Sequence, residues 1–142
     1  MSLSTKKDFS QEERNKTLVK SFVEEVFNKH NLSATEKYLA VQGSKEEFKQ
    51  SLNILFTAFP DMYANIEHIV AEDKLVVVFL NFTGTHKGEF QGKPPTNKQV
   101  NIRSADLYRI ENETIVEHWD VVDQLNLLQQ TGAFTFAQAN QA

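Results

Sequence analysis

Two short stretches of this 142-residue chain hold its most promising reactive side chains. Ser104, Asp106 and Tyr108 recur at alternate positions, and so do His118 and Asp120 further on. Residues two apart on a strand share a face. Between the stretches lies Glu111–Asn112–Glu113, a polar segment that reads as a hairpin turn. With Ile110 opposite Thr114, Asp106 falls opposite His118 and Ser104 opposite Asp120. A slip of two in this register changes the partners but not the face. Two carboxylates, an imidazole, a hydroxyl and a phenol then share one patch. Carboxylates crowded together away from water hold a proton more tightly than isolated ones. Such a group can take and return a proton near neutral pH. Asp120, His118 and Asp106 are therefore the candidate catalytic residues, with Tyr108 beside them to bind substrate. Alternation alone serves equally for a solvated face, with Ala105, Leu107, Ile115, Trp119 and Val121 turned to the core.

Other reactive residues are scattered. His86 lies in Gly84-Thr85-His86-Lys87-Gly88-Glu89-Phe90 and is placed at the mouth of a pocket as a substrate-binding residue. The competing reading is a turn that uses glycine for positive φ. His68, His86 and His118 sit on separate elements with no HxH or HxxxH spacing, so no metal site is expected. His30 falls at a helix C-terminus, where it suits the dipole. The chain has no cysteine, which excludes thiolate catalysis and disulfides. No serine–histidine–acid pattern is legible. The net charge is −4 with no basic run, which excludes a nucleic-acid partner. No apolar run reaches the roughly 18 residues of a membrane span. The polar segment Met1–Arg14 is not a signal peptide, so the expected location is the cytoplasm.

The elements that must position these groups follow from periodicity. Ser10 and Glu13 form a capping box for a first helix, whose apolar stripe is Leu18, Val19, Phe22, Val23, Val26 and Phe27. Ser33 and Glu36 repeat the signal for a short helix presenting Tyr38 and Leu39, which Gly43 breaks. Ser44 and Glu47 start a third helix with Phe48, Leu52, Leu55, Phe56 and Phe59, stopped by Pro60. Phe22, Tyr38, Phe56 and Phe59 are the expected apolar walls of the binding site. Four strands follow at Met62–Val70, Leu75–Thr83, Gln99–Ile110 and Thr114–Val122. The second is apolar on both faces, which predicts that both are covered. Asp123 caps a closing helix, Gln124–Gln130, that ends at Gly132. Segregated helices and antiparallel strands give an α+β class and one domain over 1–142, with loosely ordered tails at about 1–9 and 134–142.

Four motifs in order resemble one family. They are Ala58-Phe59-Pro60-Asp61, the Gly84–Phe90 segment, Gly92-x-Pro94-Pro95-Thr96-x-Lys98, and Ile115-Val116-Glu117-His118-Trp119-x-x-x-Asp123. Together they resemble the SnoaL-like polyketide cyclases, or ester cyclases, of the nuclear-transport-factor-like and ketosteroid-isomerase-like superfamily. The resemblance runs from about residue 12 to Gly132. It implies a cone-shaped α+β barrel, with three N-terminal helices on a curved antiparallel sheet and a short C-terminal helix. It also implies ring closure by intramolecular aldol condensation without a cofactor, with Asp120 as general acid/base and Asp106 as its hydrogen-bonding partner. Asp106 stands where some relatives carry histidine, Asn97 and Glu113 stand where glycine is usual, and the segment Leu39–Glu47 is short and brings no His or Asn to the pocket. The function expected is acid/base chemistry, cyclisation or isomerisation, on a small apolar carbonyl compound. The alternative is a non-catalytic binding or assembly module of the same fold. The odd face of the last hairpin is left over as an apolar surface, which predicts a homodimer through the outer face of the sheet.

Overall fold

The structure is a computed structural model that describes residues 9–40 and 45–133. The expected tails, the Gly43 break and the Ser44 cap lie outside the described residues. Helix α1 (Phe9–Phe22) already contains Ser10, so the proposed capping box does not sit at a helix boundary. At Val23 the helix widens into six residues of π-helix, Val23–Asn28, which periodicity does not reveal. The widened turn is anchored on the sheet by Asn28, whose amide accepts from Ala64 N (2.7 Å) and donates to Ala64 O (3.0 Å). A 3-10 turn, Leu32–Ala34, leads into α2 (Thr35–Tyr38). Ser33 makes no cap there, because its hydroxyl donates instead to Asn31 Oδ1. Helix α3 spans Lys45–Ala58, and α4 (Gln124–Gln130) is capped by Asp123 accepting from Asn126 N at 3.1 Å.

Strands β1 (Tyr63–Glu72), β2 (Leu75–Thr85), β3 (Gln99–Glu111) and β4 (Thr114–Val122) form one antiparallel sheet in chain order. Helices and sheet together make the α+β class that the residue pattern predicts and the cone that the resemblance implies. The inner face carries Ala64 and Ile66 of β1, Val76, Val78 and Leu80 of β2, and Val100, Ile102, Tyr108 and Ile110 of β3. These pack with Val19, Phe22, Val26 and Leu52 of the helices into one apolar cluster.

Two expectations about the sheet are corrected. The β2 strand is covered on one face only. Val76, Val78 and Leu80 are buried, whereas Leu75 and Phe79 on the other side are exposed, so an apolar run on both faces did not mean two covered faces. The last hairpin closes through a two-residue turn, with Asn112 and Glu113 both at positive φ (50° and 61°), a conformation suited to a tight hairpin. Glu111 therefore pairs with Thr114 and Ile110 with Ile115. A bulge then leaves Val116 as the extra residue of β4, and beyond it Arg109 meets Glu117. The bulge shifts the register to Tyr108↔His118, Asp106↔Asp120 and Ser104↔Val122, two away from the simple hairpin, so the shared face survives. It also turns Ile115, expected on the outer face, into the core, where it is fully buried.

Candidate active site

Every even-numbered residue of β3 from Val100 to Ile110 is buried, so the reactive patch lies on the inner face and not on a solvated one. It forms one wall of a cavity of about 360 Å³. Helix α3 supplies the opposite wall through Phe48, Leu52 and Leu55, with Phe59 just beyond its end. These four recur at i, i+4, i+7 and i+11, a single helical stripe. Phe27, delivered by the π turn, and Met62, Phe82, Phe90, Val100, Ile102, Val122 and Leu127 complete the apolar lining. The polar lining is Thr83, Ser104, Asp106, His118 and Asp120 on the sheet, with the exposed Ser51 and Gln124.

The two carboxylates do not share one environment. They stand opposite each other on adjacent strands, but Asp106 is 4% exposed while Asp120, on the edge strand, is open to solvent. The expected pair of carboxylates both crowded away from water is thus replaced by one buried and one wet. Asp106 is fixed by Tyr108, whose hydroxyl donates to Asp106 Oδ2 at 3.0 Å. His118 lies over the Tyr108 ring, with centroids 4.5 Å apart and planes 10° from parallel. Its Nε2 is 3.5 Å from Asp106 Oδ2, within ion-pair range if the ring is protonated but outside hydrogen-bond geometry. Burial first, and then the adjacent Asp106 charge, hold the Tyr108 phenol well above the ordinary tyrosine range. Tyr108 is therefore a neutral donor at every physiological pH.

Three polar atoms of this patch are buried with no protein partner: Ser104 Oγ, Asp106 Oδ1 and His118 Nε2. Leaving a buried polar atom unpaired costs on the order of 1–3 kcal/mol. All three belong to residues that line the cavity, and each side chain must turn toward it before a ligand can pair the atom. The arrangement can hold an oxygen-bearing ligand edge, and it offers the solvent-exposed carboxylate of Asp120 beside that edge.

The other predicted binding residues are placed apart from the cavity. Tyr108 supports Asp106 and His118 from beneath and does not line it. Phe22 is the hub of an aromatic layer behind the lining, with ring centroids 5.6 Å from Phe27, 5.6 Å from Tyr38, 6.0 Å from Phe48 and 5.8 Å from Tyr108. Tyr38 belongs to the same layer and donates its hydroxyl to Glu25. Phe56 turns away to stack on His30, with centroids 4.0 Å apart, because it sits about 80° round the helix from Phe48. His86 is not at the mouth. It is fully buried, with Nδ1 3.0 Å from Thr96 Oγ1, and lines a separate space of about 170 Å³ behind Phe90. Of the four predicted wall residues only Phe59 reaches the main cavity. Phe27, Phe82 and Phe90 were missed as lining. Phe82 could have been found by extending the inner-face parity of β2, whereas Phe27 depends on the π turn and Phe90 on a loop.

That loop is held by close approach. A Cβ at Gly88 would lie 2.2 Å from Thr57 O, so the backbone can reach Ala58, whose carbonyl accepts from Lys87 N (2.9 Å) and Gly88 N (3.1 Å). Neither Gly84 nor Gly88 adopts positive φ, so the turn reading of this motif is corrected: its glycines serve packing. Among the described residues no group of three or more His, Asp or Glu side chains could hold a metal ion, and no helix is long and apolar enough to cross a membrane.

The same architecture recurs in solved structures. AclR, a candidate hydroxylase from Streptomyces galilaeus, superposes with a TM-score of 0.79 at 27% identity, covering 87% of this chain and 99% of its own. A candidate polyketide cyclase from Acidithiobacillus ferrooxidans gives a TM-score of 0.75 at 27% identity, covering 95% and 100%. IdmH, a candidate polyketide cyclase from Streptomyces antibioticus, gives 0.73 at 26% identity, covering 83% and 98%. No protein of curated function matches the sequence. Residues 12–131, which include both walls of the cavity, match the family pattern of SnoaL-like polyketide cyclases, and the chain belongs to that family.

Proposed function

We propose that the cavity binds a small, mostly apolar carbonyl compound and that the Asp106–His118–Asp120 patch moves a proton at the carbon beside its carbonyl, without a cofactor. The observation that supports this reading is the trio of unpaired buried polar atoms on residues that line, beside Asp120, a mostly apolar cavity. Asp120, in contact with water at the opening, takes the proton from carbon. The electron pair moves onto the carbonyl oxygen, where Ser104 and His118 are the available donors. Donors aimed at a developing oxyanion are commonly the largest contribution to such a step. Cyclisation and isomerisation both begin this way, and the relatives described as candidate cyclases make cyclisation the first to test.

A second reading is a binding module that uses the same cavity without chemistry. It is favoured by the exposure of Asp120, since a solvated base gains less from the apolar site than a buried one. Deuterium wash-in at the α-carbon of a bound ketone separates the two. Wild type is expected to exchange and Asp120→Asn to exchange about 10²–10⁴ times more slowly, the usual worth of a positioned general base. Equal exchange by both proteins removes Asp120 from the mechanism, and no exchange by either supports the binding module.

A further inference from the structure

We infer that helix α4 is the moving wall of the cone, hinged at Asp123 and latched to the sheet by the side chain of Gln130. The inference rests on the reading of the main cavity as the ligand site and concerns how a ligand reaches it. Helix α4 borders two spaces at once. Gln124 and Leu127 line the main cavity, while Leu128 and Thr131 line the smaller space that holds the buried His86. The exposed lining residues of the main cavity are Ser51 of α3, Asp120 of β4 and Gln124, so the cavity meets solvent where α4 begins. Moving this one helix widens that meeting point and uncovers both spaces.

The attachment of α4 is slight. Its seven residues are too few to persist as a helix alone, and only Leu127 among them is buried. Thr131, just beyond, is buried too, but its hydroxyl donates back to Leu127 O. Among the described residues, the hydrogen bonds from α4 to the sheet come from one side chain. Strand β3 outruns β4, since their pairing begins at Ser104 and leaves residues 99–103 with an open edge. Gln130 fills that edge as a residue of a further strand would. Its Oε1 accepts from Asn101 N (2.6 Å) and its Nε2 donates to Asn101 O (2.9 Å). Asn126 Oδ1, one turn earlier, also accepts from that Nε2 at 2.9 Å and keeps the amide aimed. At the other end Asp123 N donates to Arg103 O (3.1 Å), which pins the backbone where the helix starts. One pinned end and one end held by a single amide make a hinge and a latch. Asn28 grips Ala64 in the same two-bond manner, but from a turn that buries Val23, Val26 and Phe27. A segment held as lightly as α4 opens locally, without unfolding of the sheet.

Hydrogen exchange and ligand kinetics test this together. The Asn101 amide donates to Gln130, so its exchange reports the latch. It is expected to exchange about 10²–10³ times faster than the slowest amides of β2, by local opening. Exchange as slow as theirs means that α4 leaves only when the sheet unfolds, and overturns the inference. The ligand probe is prodan, a fluorescent naphthyl ketone, followed by stopped flow. Gln130→Ala should raise its association and dissociation rates alike, about tenfold, and hold the affinity within about twofold, because a lid changes the route and not the seat. Gln129→Ala, the same substitution at the exposed neighbour, should change neither rate. Equal rates in wild type and Gln130→Ala overturn the inference and leave the cavity as the ligand site. So does a loss of affinity carried by dissociation alone, the mark of a wall that merely touches the ligand. Prodan that fails to bind, or that 1-tetralone does not displace, removes both the lid and the reading on which it rests.

Discussion

At the scale of the residue, the site is organised around Asp106, a buried carboxylate whose one hydrogen bond comes from Tyr108. A charge so placed is costly unless something compensates it. Stability alone does not select such a group, and sites where local rules are broken are where function is expected. Tyr108 fixes the carboxylate and carries the His118 ring, so its role is positional. Its phenol is held above the ordinary tyrosine value of about 10 by burial and then by Asp106. A value raised on folding means a contribution complete below about pH 10 and lost as pH rises beyond it, because the unfolded phenol ionises first. Tyr108→Phe should therefore flatten the fall of unfolding free energy above pH 10, measured by denaturant titration at several pH values. It should also cost about 1–3 kcal/mol near neutrality by stranding Asp106 Oδ2. An unchanged alkaline slope contradicts the burial of this phenol.

At the scale of the element, the cavity exists because α3, the π turn after α1 and the loop over residues 86–90 stand off from the inner sheet face. The loop is the least forgiving of these. Gly88→Ala places a methyl 2.2 Å from Thr57 O, against backbone that cannot rotate aside, and should cost about 2–3 kcal/mol of unfolding free energy and displace Phe90 from the lining. A variant as stable as wild type would show that the loop does not need this contact. The strands, α3 and the Asp123 cap were legible because periodicity, Pro60 and cap chemistry are local signals. The face shared by Asp106, His118 and Asp120 was legible because parity survives an even slip. What stayed hidden depends on tertiary contact. The π turn needs Asn28 bound to Ala64, the bulge at Val116 reverses Ile115, and whether Phe56 or Leu55 faces the cavity turns on a fraction of a helical turn. The depth of Asp106 against the exposure of Asp120 reflects a central and an edge strand, which alternation does not distinguish.

At the scale of the whole molecule, the outer face of the sheet carries an apolar patch that nothing in the chain covers among the described residues. Phe79 is 46% exposed, Trp119 49% and Val121 75%, and cross-strand pairing sets them beside Val77, Ala105 and Leu107. Arg109 with Glu117 and Arg103 with Glu67 lie on the same face as charged neighbours. A second copy related by a two-fold axis is the proposed cover. Light scattering at micromolar concentration should give a dimer for wild type and a monomer for Val121→Glu, and a monomeric wild type removes the proposal. The central claim concerns the other face, and a crystal structure with 1-tetralone, a small apolar ketone, tests it most directly. The account predicts the ligand inside the cone, its carbonyl within hydrogen-bond reach of Ser104 Oγ or His118 Nε2. A ligand bound elsewhere, or one seated in the cavity with its carbonyl turned toward α3, contradicts it.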